Sequence, residues 1–167
     1  MSKKFAATGL AEARMPESKA YATPTAFRRA LEDRLTAISK SQNIELPRLR
    51  RMVAFERLLA RLFSREDSPW FLKGGYALEI RFRQDARATR DIDLALPEVR
   101  PYLEGREIDR DKLLARLERA AATDLGDWFG FQIGTPTLEL EAEPYGGFRF
   151  PAVATLDQRE FTTFHWL

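Results

Sequence analysis

The sequence predicts an α/β domain of the α+β type, with helices in its N-terminal part and a mixed β-sheet behind them. Two amphipathic helical segments, residues 24–41 and 47–64, come first along the chain. Two strand candidates, residues 69–73 and 91–96, then enclose a Gly-Gly pair. Further strand candidates fill much of residues 129–167. This order indicates one sheet with flanking N-terminal helices.

The composition is that of a folded domain. The 167 residues are 44% apolar and 31% charged, which excludes a wholly disordered chain. The net charge is only +2, because 27 basic residues are balanced by 25 acidic ones, so the overall charge does not indicate a nucleic-acid binder. The absence of Cys excludes disulfides and thiolate metal sites. The single His, His165, argues against a zinc site and against His-based catalysis.

We divide the chain into a loosely ordered arm, residues 1–22, and one domain, residues 23–167. No apolar run reaches the roughly 18 residues that span a bilayer, and no secretory signal is visible. We therefore expect no membrane partner and a location in a bacterial-type cytoplasm.

Capping residues and periodicity place the elements within the domain. Thr23 and Pro24 are typical of a helix N-cap and first helical residue, and Pro47 opens the second helix. A third amphipathic helix is predicted over residues 109–122, after an irregular stretch at 98–107. The later strands are predicted at residues 129–133, 137–143, 148–155 and 160–167.

A Gly-Gly pair follows the first strand candidate. Gly74 and Gly75 separate that strand from a short helix predicted at residues 76–82. A strand-to-helix junction exposes backbone N–H groups, and glycines allow phosphate oxygens to approach the backbone closely. Lys73 would add a positive charge beside them. A Gly-Gly pair taken alone is more often a simple turn.

An Asp-x-Asp pattern opens the second strand candidate. Asp91 and Asp93 lie two residues apart in a strand, so both carboxylates point to one face while Ile92 points into the core. Two carboxylates on one face repel each other unless a cation neutralises them, and Mg²⁺ at a phosphoryl-transfer site is a common reason for the arrangement. The alternative is a solvated edge, or a structural pairing with Arg87 or Arg90.

The two patterns together resemble the polymerase-β-like nucleotidyltransferase superfamily. The segments FLKGGYAL, from Phe71 to Leu78, and RATRDIDL, from Arg87 to Leu94, are similar to the AbiEii group of toxin nucleotidyltransferases in particular. The similarity extends from about residue 21 to the end. It implies a nucleotidyltransferase-fold mixed sheet that transfers a nucleoside monophosphate from an NTP to an RNA 3′ end, tRNA in the better understood members. It also implies a cognate antitoxin protein, usually encoded beside the toxin.

The resemblance also implies roles for single residues. Gly74 and Gly75 would contact the nucleotide phosphates, and Asp91 and Asp93 would be the catalytic residues that bind Mg²⁺. A basic residue on a later strand steadies the triphosphate in this superfamily. The best match here is Arg149, and Arg159 is the alternative.

The chain departs from the superfamily at its third carboxylate, which belongs on a later strand. The sequence stops at Leu167, near the expected position, so we expect a chain that is truncated at the C-terminus. Glu139 and Glu141 share one strand face and could substitute, although a solvated strand face is the favoured interpretation. The alternative function is a catalytically inactive fragment or relic that only binds nucleotide or an antitoxin partner.

A second alternative is a basic nucleic-acid-binding module on the two N-terminal helices. Its arginines would follow an RNA backbone, although a solvated face paired with glutamates is the favoured interpretation. His165 is interpreted as structural. The arginines of this module are Arg28, Arg29, Arg48, Arg50 and Arg51.

Overall fold

A computed structural model describes residues 20–82, 89–98, 100–104, 107–136, 138–139 and 147–167. Four of these residues are described by their backbone alone: Phe82, Glu107, Leu138 and Glu139. The helices are α1 (Pro24–Gln42), α2 (Leu46–Leu62), α3 (Gly74–Phe82) and α4 (Arg110–Ala121), and a 3₁₀ turn covers Arg100–Tyr102. The strands are β1 (Phe71–Lys73), β2 (Asp91–Ala95), β3 (Leu103–Glu104), β4 (Glu107–Ile108), β5 (Phe129–Ile133), β6 (Leu138–Glu139), β7 (Phe148–Leu156) and β8 (Arg159–Trp166).

The main sheet is mixed, with the strand order β1-β2-β8-β7-β5. Strands β2 and β8 are parallel, whereas β1 with β2, β7 with β8 and β5 with β7 are antiparallel. Strand β6 pairs with the first residues of β7, and β3 and β4 form a separate two-stranded sheet. The expected α+β class with a mixed sheet and N-terminal helices is confirmed.

Two hydrophobic clusters attach the helices to the sheet. The first joins α2 and α4 to β2, β7 and β8 around Ile92 and Trp166. The second joins α1 to β5 and the β7–β8 hairpin through Phe27 and Phe161. Buried and partly exposed residues alternate along β7, so one sheet face is covered while the other is open to solvent in part.

Helix α1 begins at Pro24, as the sequence predicts, and ends at Gln42, one residue beyond the predicted end. The Thr23 hydroxyl accepts a hydrogen bond from the backbone N–H of Ala26, and Pro24 is the first helical residue. Asn43 closes the helix in the left-handed conformation, with φ 53°. The Arg28 guanidinium donates to the carbonyls of Leu156, Arg159 and Glu160, which fixes α1 to the β7–β8 hairpin.

A buried ion pair fixes α2 to the strand that follows α4. Arg61 and Asp127 are only 2% and 5% exposed. The guanidinium donates to both carboxylate oxygens of Asp127 and to the carbonyl of Phe129, and it lies over the Phe131 ring. Because every charged oxygen and several donors are satisfied, the pair is tolerated inside the core.

Two features differ from the sequence prediction. Helix α3 begins at Gly74 rather than at residue 76, so both glycines belong to its first turn. The stretch predicted as irregular, residues 98–107, contains the 3₁₀ turn and β3. Most of the strand predicted at 137–143 lies outside the described residues, as do residues 1–19 of the predicted arm. None of the described helices is long and apolar enough to cross a membrane.

Candidate functional site

The two aspartates lie on strand β2, between β1 and β8. Ile92 is fully buried between them, whereas Asp91 and Asp93 are partly exposed on the opposite face. We call this opposite face the carboxylate face. Pairing in register places Lys73 of β1 beside Asp93, and His165 of β8 beside Asp91. Directly paired residues share a face, so both basic side chains belong to the carboxylate face.

Asp93 packs against the start of α3. The backbone N–H of Gly75 donates to Oδ2 of Asp93 over 3.3 Å. Gly74 has φ +67°, and a Cβ at this position would lie only 1.7 Å from the same oxygen. Glycine is therefore required here for two reasons, its left-handed backbone and the close approach of the carboxylate. The contact joins the two sequence motifs in one place.

Asp91 contacts residues of β7 and β8, the strands that lie on the opposite side of β2 from β1. The Nη2 of Arg149 on β7 lies 3.3 Å and 3.4 Å from the two carboxylate oxygens. The Nδ1 of His165 lies 3.8 Å from Oδ1 of Asp91 and 3.5 Å from Nη2 of Arg149. Arg149 thus reaches across β8, and its positive charge offsets part of the repulsion between the two aspartates.

Thr89 connects the entry of β2 to the glycines. Its hydroxyl donates to the carbonyl of Asp91 over 3.0 Å and accepts from the Asp91 backbone N–H over 3.4 Å. Its Cβ is within 3.2 Å of the place where a Cβ on Gly75 would lie. A threonine therefore fixes the first residue of the strand and fills the space beside the helix start.

A buried carboxylate lies near the entry of β2. It belongs to Glu79 of α3, which is 3% exposed. One oxygen accepts from Arg48 of α2 over 2.8 Å, and the other accepts from the backbone N–H of Thr89 over 3.5 Å. The ion pair ties α2, α3 and the entry of β2 together. Burial, with the nearby charges of Glu56 and Glu79, raises the pKa of Tyr76 far above its ordinary value.

The structure brings most of the candidate site residues into one region. Asp93 contacts the two glycines, Asp91 contacts Arg149, and Lys73 is in register with Asp93. Arg159 lies at the hairpin end of β8, away from His165, so Arg149 is the arginine that reaches Asp91. The catalytic, phosphate-binding and metal-binding roles stay predictions.

The remaining candidates are either exposed to solvent or outside the residues that the structure describes. Arg90 is exposed, while Arg87 and Glu141, and the side chain of Glu139, are outside the described residues. The structure adds Thr89, a residue of the RATRDIDL segment for which the sequence alone predicts no role. Its position two residues before the Asp-x-Asp pattern was the available signal.

Three arginines of the alternative basic module have structural partners. Arg28 holds the β7–β8 hairpin, Arg48 pairs with Glu79, and Arg50 pairs with Glu32 over 2.8 Å. These contacts support the interpretation of a paired helix face rather than an RNA-binding one. A surface whose guanidinium groups are already engaged has fewer donors to offer to phosphates.

The donor chemistry of the carboxylate face fits Mg²⁺. Asp91 and Asp93 offer carboxylate oxygens, the hard ligands that Mg²⁺ prefers. Among the described residues no group of three or more His, Cys, Asp and Glu side chains is placed to hold a metal. Mg²⁺ in nucleotide sites is commonly held by one or two carboxylates, with water and substrate phosphates completing its shell, so two aspartates suffice for the fit.

A mixed sheet with paired aspartates against a Gly-Gly helix start is the arrangement expected of a nucleotidyltransferase domain. A family model described as nucleotidyl transferase AbiEii toxin, type IV toxin–antitoxin system, matches residues 57–163, more than half of the chain. The chain belongs to this family. The match includes every candidate from Lys73 to Arg149 and ends before His165. A search of curated proteins found no match.

Proposed function

We propose that this chain transfers a nucleoside monophosphate from an NTP to the 3′ end of an RNA, with tRNA as the acceptor. The observation that carries the proposal is the contact of Asp93 with Gly74 and Gly75, on the same sheet face as Asp91 and Arg149. This contact supports the proposal, because backbone N–H groups of the kind that bind phosphates then lie beside carboxylates of the kind that bind a cation. Family membership supports the reaction class.

In the proposed reaction the RNA 3′-hydroxyl attacks the α-phosphorus of the NTP. The bond from this oxygen to phosphorus forms, the bond from phosphorus to pyrophosphate breaks, and the hydroxyl proton is lost to solvent. Backbone N–H groups at the start of α3 and the Lys73 ammonium bind the triphosphate oxygens. Arg149 exchanges its carboxylate partner for a phosphate oxygen and offsets charge there.

Asp91 and Asp93 hold the divalent cation in this proposal. Bound Mg²⁺ supplies charge neutralisation at the triphosphate and a lowered pKa for the attacking hydroxyl. The protein holds the two carboxylates in position, because Thr89 fixes the backbone of Asp91 and the Gly75 N–H fixes the side chain of Asp93. Positioning of this kind lowers the barrier without any covalent step by the protein.

The proposed biological role is that of a toxin opposed by a cognate antitoxin protein. Family membership supports this role, because the family is that of a type IV toxin–antitoxin system. The proposed location is the bacterial cytoplasm, where NTPs and tRNA are both present. Induced expression of the chain alone should arrest growth, and co-expression of the adjacent gene should restore it.

A transfer assay tests the reaction. The protein is incubated with Mg²⁺, each radiolabelled NTP in turn and purified tRNA, beside an Asp91→Asn, Asp93→Asn double variant. The amide substitutions keep the shape of both side chains and remove their charge. Label in the tRNA that disappears in the double variant is the expected result, and tRNA with an oxidised 3′ ribose should accept none.

One control variant and two contrary outcomes make the assay decisive. Asp67→Asn removes an exposed carboxylate that pairs with its near neighbour Arg65, so this variant should transfer label as the parent does. Equal labelling by the parent and the double variant would reject the proposed site. Binding of NTP without any transfer would instead favour the alternative, a protein that only binds nucleotide.

A further inference from the structure

An exposed aromatic ring stands at the edge of the carboxylate face. Phe71, the first residue of β1, is 62% exposed, and among the described residues only Leu78 is another large hydrophobic side chain classed as exposed. Single exposed hydrophobic residues are common on protein surfaces and need no explanation by themselves. The position of this ring within the sheet is what distinguishes it.

Register places the Phe71 ring beside the residues proposed to bind phosphate. Phe71 and Lys73 are two residues apart on β1, so they share a sheet face, and Lys73 is paired with Asp93. Strand geometry puts the two β1 residues about 7 Å apart. The ring is therefore on the carboxylate face, one side-chain position outward from the lysine.

The face of the ring is also left open by its neighbours. The residue opposite Phe71 on β2 is Ala95, whose methyl group is too small to cover an aromatic ring. On its other side β1 has no partner strand, because it is the edge of the sheet among the described residues. An open ring beside cationic and backbone donors matches a ligand that carries an aromatic base and phosphates on one molecule.

We propose that the Phe71 ring stacks on the nucleobase of the NTP whose phosphates lie at Lys73 and the Gly74–Gly75 helix start. The inference rests on the proposed function and adds the base-binding part of the site. Bases stack on aromatic rings with little sequence preference, because every base presents a π face. Phe71 would thus strengthen binding of all four NTPs, and purines more than pyrimidines.

Binding measurements on two variants test this inference. Phe71→Leu keeps an apolar side chain and removes the ring, whereas Phe71→Trp keeps a ring. The dissociation constants of ATP and CTP with Mg²⁺ are measured by calorimetry, with inorganic triphosphate as the ligand that lacks a base. We expect Phe71→Leu to weaken ATP binding about 5- to 150-fold, the range that stacking on one aromatic ring provides. Phe71→Trp should bind ATP at least as tightly as the parent.

Inorganic triphosphate separates the possible outcomes. Its affinity should be the same for the parent and Phe71→Leu. Equal weakening of ATP and triphosphate would overturn the inference, because the substitution would then act on the phosphate site. Unchanged ATP affinity with a raised KM for tRNA would also overturn it, and would assign the ring to the acceptor base. A parent protein that binds neither ATP nor triphosphate would reject the proposed function itself. Transfer by both the parent and Phe71→Leu, with equal KM values for the NTP, would reject only the stacking.

Discussion

Replacing Gly74 by alanine tests the contact that unites the two motifs. The added Cβ would lie 1.7 Å from Oδ2 of Asp93, 2.4 Å from its Cγ and 2.7 Å from its Cβ. None of these distances is possible between non-bonded atoms, so the aspartate must turn away or β1 and β2 must separate. Either movement removes the hydrogen bond from the Gly75 N–H to the carboxylate.

The cost of Gly74→Ala has two parts. Holding an alanine at φ +67° costs about 1–2 kcal/mol. Displacing the Asp93 side chain loses a hydrogen bond to a charged group, which contributes about 1.5–3 kcal/mol. We expect a total loss of about 2.5–5 kcal/mol from the free energy of unfolding, a large share of the roughly 5–15 kcal/mol typical of a domain.

Urea unfolding followed by circular dichroism measures the loss, and two glycines of the same chain supply controls. Gly126 has φ +66° with no atom within 4 Å of an added Cβ, so Gly126→Ala isolates the backbone cost of about 1–2 kcal/mol. Gly75→Ala places a Cβ 3.2 Å from Thr89 without a positive φ, and should cost less than Gly74→Ala.

A relief experiment tests the steric explanation directly. Asp93→Gly removes all three atoms that an alanine at position 74 would meet. Gly74→Ala should therefore cost only its backbone part, about 1–2 kcal/mol, when it is made in the Asp93→Gly protein, since the two changes share one contact. If Gly74→Ala costs no more than Gly126→Ala in the parent, the close approach of the carboxylate is refuted.

Three further substitutions have defined outcomes in urea unfolding. Asp127→Ala leaves the Arg61 guanidinium buried without its carboxylate and should lose about 3–5 kcal/mol. Glu79→Gln removes the charge paired with Arg48 and should lose about 1–3 kcal/mol, less than Asp127→Ala because the arginine is one-third exposed. Burial raises the pKa of Glu56, whose Oε1 has no hydrogen-bond partner among the described residues. The folded state therefore holds this proton more tightly than the unfolded chain, so ionisation lowers stability as the pH rises through the raised pKa. Glu56→Gln should stabilise the protein at pH 7, and the gain should shrink as the pH falls to about 4.

Each of these three predictions has a result that would contradict it. An unchanged unfolding midpoint for Asp127→Ala would mean that the pair is not buried in solution, and the exposed Asp67→Ala serves as its neutral control. An unchanged free energy of unfolding for Glu79→Gln, with a loss only for Glu79→Ala, would show that the charge is unimportant. A stability gain of Glu56→Gln that is the same at every pH would remove ionisation as its cause.

Local signals were sufficient for most of the fold. The N-cap at Thr23, the proline at the start of α1 and the apolar repeat along it predict a helix that the structure contains. The alternation in Asp91, Ile92 and Asp93 predicts one buried residue between two on the open face, which is the burial observed. These features depend on residues within one element, and the sequence displays them directly.

The pairings across the sheet could not be predicted from local signals. Arg149 meets Asp91 because β8 lies between β7 and β2, and no spacing in the sequence encodes that strand order. The start of α3 at Gly74 was also missed, since glycine normally interrupts helices and strands. Here the glycine is placed by the Asp93 carboxylate, a contact between residues that are distant along the chain.

The partners of the two aspartates determine how their substitution should be interpreted. Asp91 is paired with Arg149, and both side chains are about one-third exposed, at 27% and 36%, so loss of this ion pair costs little stability in water. Asp93 accepts a backbone N–H, and an asparagine at that position keeps an acceptor oxygen. The amide variants should therefore fold nearly as well as the parent, whereas alanine at position 93 would leave the Gly75 N–H without its acceptor. Because the amides change charge with little change in shape, loss of transfer in Asp91→Asn, Asp93→Asn can be attributed to the lost negative charge rather than to a disturbed helix start.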